Sequence, residues 1–233
     1  MTKLQFFTPK KQGEFEATAL AGVYVFEPKI HGDERGFFAE WYRSDAFGNA
    51  VGYPFVPEQA NVSQSAAGVA RGLHFADVPP GQAKLVFCPA GEVVDVLVDL
   101  RRGSETFGQH VAVQLNSKNL RAVYIPAGVA HGFVAQKDDS VLTYLTTLQY
   151  TPEIEREISW FDPQLLAAGL DVRALAPEGT ELVLSAKDQA APTIAEFEDN
   201  GNSLPSYDEY VTLDTAFRDG WALANEEAAT PEV

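Results

Sequence analysis

Three side chains that could act together stand close in the segment RGLHFADVPPGQAKLV, which covers residues 71–86. Arg71 and His74 precede a Pro-Pro-Gly turn, and Lys84 follows it at the start of an apolar run. A neutral imidazole, with an ordinary pKa of about 6.5, can accept a proton near neutral pH. A nearby ammonium or guanidinium can stabilise the negative oxygen that forms when a carbon acid beside a carbonyl loses its proton. The segment therefore predicts proton abstraction next to a ketone.

Inversion of configuration at that carbon needs one more group, an acid on the opposite face. Tyr144, in SVLTYLTTLQY, is our candidate because a phenol can donate a proton and recover one from solvent. Each assignment has a structural alternative. His74 could be a hydrogen-bonded structural residue, Tyr144 a core tyrosine, and Lys84 a strand-end lysine whose ammonium reaches solvent. Asp188, in LSAKD, could be a turn or helix N-cap residue.

A metal centre is the main alternative chemistry for this pattern. Small barrels of the cupin type bind iron, manganese or zinc through a His-x-His pair, a nearby carboxylate, and a later histidine after a Pro-x-Gly turn. His131 follows such a turn, but His74 is followed by Phe75 and Ala76 rather than by a second histidine. Lys84 stands near the position expected for the carboxylate, where an ammonium would oppose a divalent cation. We therefore predict no catalytic metal.

Composition limits the partners and the compartment. The chain has 233 residues with 17 basic and 33 acidic side chains, and its formal charge of −16 argues against nucleic acid or an anionic membrane as a partner. The opening MTKLQFFTPKKQ has no apolar segment long enough for a signal peptide, and no later segment reaches the roughly 18 apolar residues of a membrane span. Cys88 is the one cysteine, so an intramolecular disulfide is impossible. We therefore predict a cytoplasmic protein.

The middle of the chain is typical of β-structure. Segments rich in β-branched and aromatic residues alternate with turn residues, and we predict strands at 22–28, 36–42, 84–90, 92–100, 109–115, 121–126 and 140–150. Val94, Val96 and Val98 share one face, which predicts a strand with one firmly buried side. Helices are expected to be few and short, at 44–50, 152–157, 162–169 and 190–198. The pattern predicts an all-β sandwich or barrel with mainly antiparallel pairing.

The C-terminal segment differs from the rest in charge. Residues 196–233 contain ten acidic residues against one basic residue, Arg218. We therefore predict one β-domain over residues 1–198 and an acidic C-terminal extension over residues 199–233. The extension could be a solvated tail, but aromatic residues in this segment predict that part of it packs on the domain. These residues are Phe197, Tyr207, Tyr210, Phe217 and Trp221.

Seven segments, taken in order, resemble one enzyme family. They are DERGFFAE (33–40), QANVSQSAAGVARGLHF (59–75), QAKLV (82–86), DVLVDLRRGSETFG (95–108), YIPAGVAHGF (124–133), TYLTTLQYTPEIERE (143–157) and LSAKD (184–188). Together they are similar to the dTDP-4-dehydrorhamnose 3,5-epimerase family. The resemblance implies a cupin-type double-stranded β-helix, or jelly roll, with a few short helices.

The resemblance also implies roles for residues at the matching positions. His74 would be the general base, and Asp188 would hold its imidazole in the useful tautomer. Lys84 would stabilise the enolate, and Tyr144 would be the acid on the opposite face. The nucleotide sugar would be bound by Arg35, Phe38, Glu40, Gln59, Asn61, Arg71, His131, Tyr150, Glu155 and Lys187. In that set the two arginines suit the diphosphate, and Phe38 and Tyr150 would stack on thymine.

The activity that the resemblance implies is an isomerase reaction in dTDP-L-rhamnose biosynthesis. It would invert C3 and C5 of dTDP-4-dehydro-6-deoxy-D-glucose to give dTDP-4-dehydro-L-rhamnose, with no metal and no organic cofactor. The resemblance further implies a homodimer in which strands are exchanged between subunits. Three alternatives stay open: an epimerase of C3 or C5 alone, a metal-dependent cupin enzyme, and a non-catalytic sugar-binding jelly roll.

Overall fold

Two large sheets dominate the computed structural model, which describes residues 4–229 of the chain and the side chains of residues 4–226. The first sheet has the order β1 (Phe6–Phe7), β10 (His110–Asn116), β9 (Glu92–Asp99), β12 (Val129–Ala135), β7 (Ala70–Ala76) and β14 (Glu155–Glu157). The second has the order β2 (Phe15–Ala17), β3 (Tyr24–Phe26), β11 (Ala122–Ile125), β8 (Lys84–Ala90), β13 (Ser140–Thr146) and β6 (Gln59–Ser65). Within both sheets the neighbouring strands are antiparallel, except that β1 runs parallel to β10. A separate hairpin is formed by β4 (Ile30–Asp33) and β5 (Gly36–Ala39).

An apolar core joins the two sheets. One cluster of buried side chains contains Leu97 and Val113 of the first sheet together with Val25, Val86 and Leu142 of the second. Removing this apolar surface from water is the main favourable term for packing the sheets face to face. The prediction of an all-β jelly roll is therefore confirmed.

The outer faces of the sheets are covered as well. On the first sheet, Val94, Val96 and Val98 of β9 belong to a cluster that includes residues of α2 (Pro163–Ala167) and α4 (Ile194–Asp199). The shared face of these three valines is confirmed, but the strand is buried on both sides, because Asp95, Leu97 and Asp99 on the other face are also 0% exposed. On the second sheet, α1 (Ser44–Val51) places Phe47 against Phe26 and Phe55.

The helix predictions have a mixed outcome. Three of them are confirmed, since α1, α2 and α4 fall within or beside the predicted segments. The predicted helix at 152–157 is wrong, because Glu155–Glu157 forms β14 and pairs with the edge of β7. There, hydrogen bonding to an available sheet edge overrides the local helix preference of the Glu-rich segment. Three helices were not predicted: a 3₁₀ helix at Val172–Leu175, α3 (Ala186–Gln189) and α5 (Tyr207–Ala229). The last has 23 residues, so the expectation that all helices are short is wrong.

The C-terminal extension docks on the barrel through α5 (Tyr207–Ala229). Tyr210 is buried with Val78 and Ala127, and the guanidinium carbon of Arg101 lies 4.4 Å from the centre of its ring. The Tyr53 hydroxyl donates a hydrogen bond of 2.9 Å to Asp214 of the same helix. The prediction that part of this acidic segment packs on the domain is confirmed, while the boundary between residues 198 and 199 stays a prediction. No helix in residues 4–229 has the length and apolar character needed to cross a membrane.

Candidate active site

A polar cavity of about 280 Å³ lies between the two sheets. Its walls come from β7 and β14 of the first sheet and from β6, β8 and β13 of the second. The lining residues are Gln59, Asn61, His74, Gln82, Lys84, Tyr144, Thr146, Tyr150, Glu155, Arg156 and Lys187. Eight of the fourteen residues predicted for the site are in this set, and we call the space the polar cavity.

The imidazole of His74 is held by a buried carboxylate. Its Nε2 lies 2.8 Å from Oδ1 of Asp188, whose side chain is 5% exposed. Ser185 is the N-cap of α3; its hydroxyl accepts from the backbone N–H of Asp188 and donates to Oδ2 at 2.7 Å. Burial alone would raise the pKa of the Asp188 carboxyl, but the hydrogen bonds from His74 and Ser185 outweigh it and hold the pKa below its usual value. Asp188 is thus a fixed anion next to the imidazole rather than an N-cap.

Tyr144 enters the polar cavity from the sheet opposite His74. His74 lies on β7 of the first sheet, whereas Tyr144 lies on β13 of the second. Burial raises the pKa of the Tyr144 phenol, and the nearby Glu155 carboxylate raises it further. A phenol with a raised pKa is protonated at neutral pH and can serve as a proton donor. A base and an acid therefore project from two facing walls.

Lys84 is a buried cation at the start of β8. The residue is 8% exposed, and its side chain lines the polar cavity. Burial lowers the pKa of its ammonium, while the carboxylates of Glu155 and Asp95 oppose that shift. An ammonium that is dry and held on a strand can stabilise a developing oxyanion more strongly than one in water. The alternative of a strand-end lysine reaching into bulk solvent does not fit this burial.

Two glycines bring β7 and β12 close together beside the site. A Cβ on Gly132 would lie 2.4 Å from a ring carbon of Trp160 and 2.6 Å from the carbonyl oxygen of Arg71. Gly72 has φ +110°, and a Cβ there would lie 2.6 Å from the Cα of Gly132. Larger residues would force the two strands apart. Close packing therefore requires glycine at positions 72 and 132. These positions are next to His74 and His131, which are cross-strand partners.

Five of the residues predicted to bind substrate line the polar cavity: Gln59, Asn61, Tyr150, Glu155 and Lys187. Hydrogen bonds or ion pairs connect several of them to each other or to neighbouring residues. The Gln59 amide donates to Oδ1 of Asn61 at 2.7 Å, and its carbonyl oxygen accepts from the backbone N–H of Tyr150 at 2.7 Å. The ammonium of Lys187 lies 3.1 Å from the carboxylate of Glu157.

The other five predicted binding residues do not line the polar cavity. Arg35, Phe38 and Glu40 belong to the exposed β4–β5 hairpin and the residue after it, where Phe38 is 66% exposed. Arg71 is exposed on β7 and donates hydrogen bonds to Ser65 and to the backbone of Gln64. His131 is buried on β12, with Nε2 at 2.5 Å from Oδ1 of Asp95. A role in binding stays a prediction for all five.

Three lining residues were not predicted: Gln82, Thr146 and Arg156. The Gln82 amide donates to the Leu148 carbonyl at 3.3 Å and to Glu155 at 3.4 Å. Arg156 pairs with Asp77 at 2.5 Å. Gln82 and Thr146 stand two residues from Lys84 and Tyr144, so the period of two along a strand could have indicated them. Arg156 carries no such signal, because its segment was predicted as a helix.

One group of potential metal ligands includes site residues. Ligand atoms of His74, Glu157 and Asp188 lie within 4.8 Å of one another. Protein partners already engage these donors, since Asp188 holds the His74 imidazole and Glu157 pairs with the ammonium of Lys187. Only one of the three is an imidazole, and a cation already neutralises one carboxylate. The donor set therefore suits a held imidazole better than a transition-metal centre.

A second cavity, of about 340 Å³, lies beneath α5. Aromatic and aliphatic residues dominate its lining, among them Phe55, Tyr124 and Phe217. None of the predicted site residues lines it. The chemistry is therefore assigned to the polar cavity.

Comparison with known proteins identifies the family. A family described as dTDP-4-dehydrorhamnose 3,5-epimerase matches residues 17–196. A dTDP-4-dehydrorhamnose 3-epimerase of Streptomyces niveus is 45% identical over 188 residues, 81% of this chain and 86% of that protein. The structure of an epimerase of Mycobacterium tuberculosis is similar with a TM-score of 0.82 and 38% identity, covering 88% of this chain and 100% of that chain. A Legionella pneumophila dTDP-6-deoxy-D-glucose-3,5-epimerase, solved in complex with dTDP-4-keto-L-rhamnose, has a TM-score of 0.73 and 41% identity over 83% of this chain and 98% of that chain.

The fold and these relatives define a class of protein, the cupin-like epimerases of dTDP-sugars, which are isomerases. Within that class, this chain belongs to the dTDP-4-dehydrorhamnose 3,5-epimerase family. The resemblance inferred from the seven sequence segments is thereby confirmed. The matched range ends before α5, so that helix lies outside the part shared with the family model.

Proposed function

We propose that this chain inverts both C3 and C5 of dTDP-4-dehydro-6-deoxy-D-glucose, giving dTDP-4-dehydro-L-rhamnose. The observation that carries the proposal is the placement of a carboxylate-held imidazole and a protonated phenol on facing walls of one cavity, with a buried ammonium between the same walls. An inversion needs a base and an acid on opposite faces of the reacting carbon, together with a cation for the enolate oxygen.

In the proposed reaction, His74 removes the proton from C3. The C–H electron pair forms the C3–C4 double bond, and the negative charge moves to the C4 oxygen, where the Lys84 ammonium stabilises it. Tyr144 then donates its proton to C3 from the opposite face, and the carbonyl re-forms. His74 releases its proton to solvent and Tyr144 takes one up, which restores both groups. The same steps at C5 follow after the ring is repositioned, because the C4 ketone acidifies both neighbouring carbons.

Asp188 supports the base in two ways. As the acceptor at Nε2, it fixes the proton on that nitrogen and leaves Nδ1 as the proton acceptor. Its negative charge also stabilises the imidazolium that forms when the proton arrives. Gln59, Asn61, Tyr150, Glu155 and Lys187 would bind the sugar and the nucleotide within the polar cavity.

Some predicted binding residues do not line the polar cavity. They could contribute to substrate binding from a second subunit, or by contacting the diphosphate. Arg35, Phe38 and Glu40 lie on the exposed hairpin, and Phe37 and Phe38 are 59% and 66% exposed. In a homodimer with exchanged strands, this hairpin would reach the cavity of the other subunit. Arg35 would then bind diphosphate and Phe38 would stack on thymine. His131 is buried on β12 and does not line the polar cavity, so its contribution to binding would be indirect.

Deuterium labelling tests the proposal. The purified protein is incubated with dTDP-4-dehydro-6-deoxy-D-glucose in deuterated water, and ¹H NMR locates the label. Incorporation at C3 and C5 with inversion at both is the expected result. Label at C3 alone would assign the chain to the C3-epimerases, a candidate that the 45% identical Streptomyces niveus protein favours. Absence of label at both carbons in a folded protein would refute an epimerase role of the cavity.

Two further measurements separate the remaining classes. Activity that is lost on chelation and returns with stoichiometric iron or manganese would indicate a metal-dependent cupin enzyme. Unchanged sugar binding together with unchanged function after His74→Ala and Tyr144→Phe would indicate a binding protein. We expect neither outcome, and we expect His74→Ala to abolish nearly all turnover.

A further inference from the structure

Glu157 is a carboxylate beside the proposed base that no sequence pattern assigned to the reaction. It lies on β14 directly across from His74 on β7, and residues that face each other in this way carry their side chains on the same side of a sheet. One carboxylate oxygen of Glu157, one ring nitrogen of His74 and one carboxylate oxygen of Asp188 all lie within 4.8 Å of one another. The imidazole therefore has two carboxylates close to it, of which Asp188 is hydrogen-bonded to it.

The charge of this second carboxylate is compensated by Lys187. The Oε2 atom of Glu157 lies 3.1 Å from the Lys187 ammonium. That oxygen is buried, and among the side chains that the structure describes it has no hydrogen-bond partner of good geometry, so the ion pair compensates it. The Glu157 side chain is 21% exposed on a paired strand, whereas the Lys187 side chain is 67% exposed and lines the polar cavity. Lys187 is therefore the partner that can turn to another anion.

The substrate of the proposed reaction brings such an anion into the polar cavity. Its diphosphate is a good partner for an ammonium, which binds phosphate as a compact point charge. The diphosphate and the Glu157 carboxylate would then compete for the same ammonium. A largely exposed ion pair contributes little to stability, so exchanging it for a diphosphate meets little opposition.

We infer that Glu157 is a positioning residue that exchanges its partner when substrate binds: its carboxylate pairs with Lys187 in the free protein, and once the diphosphate takes that ammonium, it becomes the second anion beside the His74 imidazole. The inference rests on the proposed function, because it uses His74 as the base and Lys187 as a ligand of the sugar nucleotide.

This exchange would strengthen the base only when substrate is present. In the free protein, the opposite charges of Glu157 and Lys187 largely cancel at the imidazole. After the exchange, Glu157 keeps its place on β14 and faces His74 without its counter-ion. A carboxylate within about 4–6 Å favours the charged form of a neighbouring base. The imidazolium formed by proton abstraction would then be stabilised by two anions instead of one.

Glu157→Gln tests the inference, because it removes the charge and keeps the shape of the side chain. With no competing anion at Lys187, we expect dTDP to bind about two- to fivefold tighter in isothermal titration calorimetry, as fits a largely exposed ion pair, and KM should fall with it. With one anion fewer at His74, kcat should fall roughly tenfold, the equivalent of one pKa unit of differential stabilisation.

A fall in KM together with a fall in kcat distinguishes this role from a purely structural one. Circular dichroism first establishes that Glu157→Gln is folded. A folded variant that binds dTDP no tighter than the wild type, or that keeps the wild-type kcat, would overturn the inference.

Two further variants separate Lys187 from the general field of the protein. Glu153→Gln removes the same charge from the exposed turn before β14, outside the lining of the polar cavity, and should keep the wild-type affinity and kcat. The double variant of Glu157→Gln and Lys187→Met should bind dTDP no tighter than Lys187→Met alone, because no ammonium remains to be released. Equal tightening in either case would be a general effect of removing negative charge, and would count against the inference.

An NMR measurement on the wild-type protein decides the question if Glu157→Gln does not fold. The lysine ε-carbons are labelled with ¹³C, and Lys187→Arg identifies the Lys187 signal. Saturating dTDP should shift that signal and leave the signal of Lys118, which is exposed and outside the polar cavity, in place. A Lys187 signal that does not move when dTDP is bound would refute the exchange. Calorimetry and NMR need no turnover, so a failure of the proposed epimerase activity would be seen separately, in the deuterium experiment.

Discussion

Replacement of Asp188 by Asn tests the role of the carboxylate that holds His74. Asn has nearly the same shape, so the packing of a side chain that is 5% exposed is preserved while its charge is removed. The Asn amide can also donate to Nε2, which would place the imidazole proton on Nδ1. The nitrogen that should accept the substrate proton would then be occupied.

The size of the effect follows from the contact that is lost. The 2.8 Å hydrogen bond between Asp188 and His74 becomes a charge-assisted bond to an imidazolium during turnover. Such bonds contribute about 1.5–3 kcal/mol, which at about 1.4 kcal/mol per tenfold in rate corresponds to a loss of roughly 10- to 150-fold in kcat. Asp188 does not line the polar cavity, so KM should change little. Trapping of the wrong tautomer would add to the loss in kcat.

Steady-state kinetics of the labelled-water reaction measure this prediction. Circular dichroism first establishes that Asp188→Asn is folded. Asp171→Asn is the control, because Asp171 is likewise a carboxylate held by hydrogen bonds beside a short helix, but its partner is Arg173 rather than His74. The control should retain wild-type kinetics. A folded Asp188→Asn enzyme with kcat within about threefold of wild type would refute the pairing of His74 and Asp188 as the base, since about 0.6 kcal/mol is less than one charged hydrogen bond provides.

Three more substitutions test other parts of the argument. Tyr144→Phe should still exchange the substrate proton at the face of the base but should not invert the carbon, so NMR would find deuterium in unreacted substrate. Gly132→Ala should lower the free energy of unfolding, measured in urea, by about 1–3 kcal/mol, because a Cβ at this position has no space. Its control is Gly48→Ala on α1, where a Cβ meets open space, and this change should raise the free energy of unfolding by about 0.5–1 kcal/mol. Tyr210→Ala should cost roughly 3 kcal/mol by loss of a buried ring, against less than about 0.5 kcal/mol for Leu223→Ala, which is 61% exposed.

The sequence predicted the strands that bury apolar residues, and it missed the strands that carry much of the site. β8, β9, β10, β11 and β13 lie within predicted segments or within a residue of them, because β-branched residues dominate those segments. β6, β7 and β12 were not predicted as strands. Their sequences, QANVSQS, ARGLHFA and VAHGFVA, contain polar residues or glycines that weaken the periodic signal.

The sequence likewise indicated some residues of the candidate site and not others. Spacing indicated His74, Lys84 and Tyr144, and the family resemblance added Asp188. Neither indicated Arg156, which lies on β14 and lines the polar cavity. Its place there depends on the pairing of β14 with the edge of β7, which sequence spacing within one strand does not contain. The same applies to α5, whose docking depends on Arg101 and Tyr53 in distant segments.

The charges around the polar cavity limit how this acidic chain would attract the anionic sugar nucleotide of the proposed reaction. Its three lining cations each have a carboxylate nearby: Glu155 acts on Lys84, Asp77 pairs with Arg156, and Glu157 pairs with Lys187. These pairs keep the cations in place, but they also cancel much of the field that would attract a diphosphate.

Arg71 is different, because within residues 4–229 its guanidinium is bonded to two neutral oxygens, of Ser65 and Gln64, and has no carboxylate at ion-pair distance. Its full charge is therefore available at the exposed side of β7. The net charge of −16 describes the whole chain, whereas in the proposed reaction diphosphate binding would depend on this uncompensated guanidinium and on any that a second subunit brings. On this reasoning Arg71→Gln should raise KM far more than it lowers kcat, and the KM of the wild-type enzyme should increase with ionic strength.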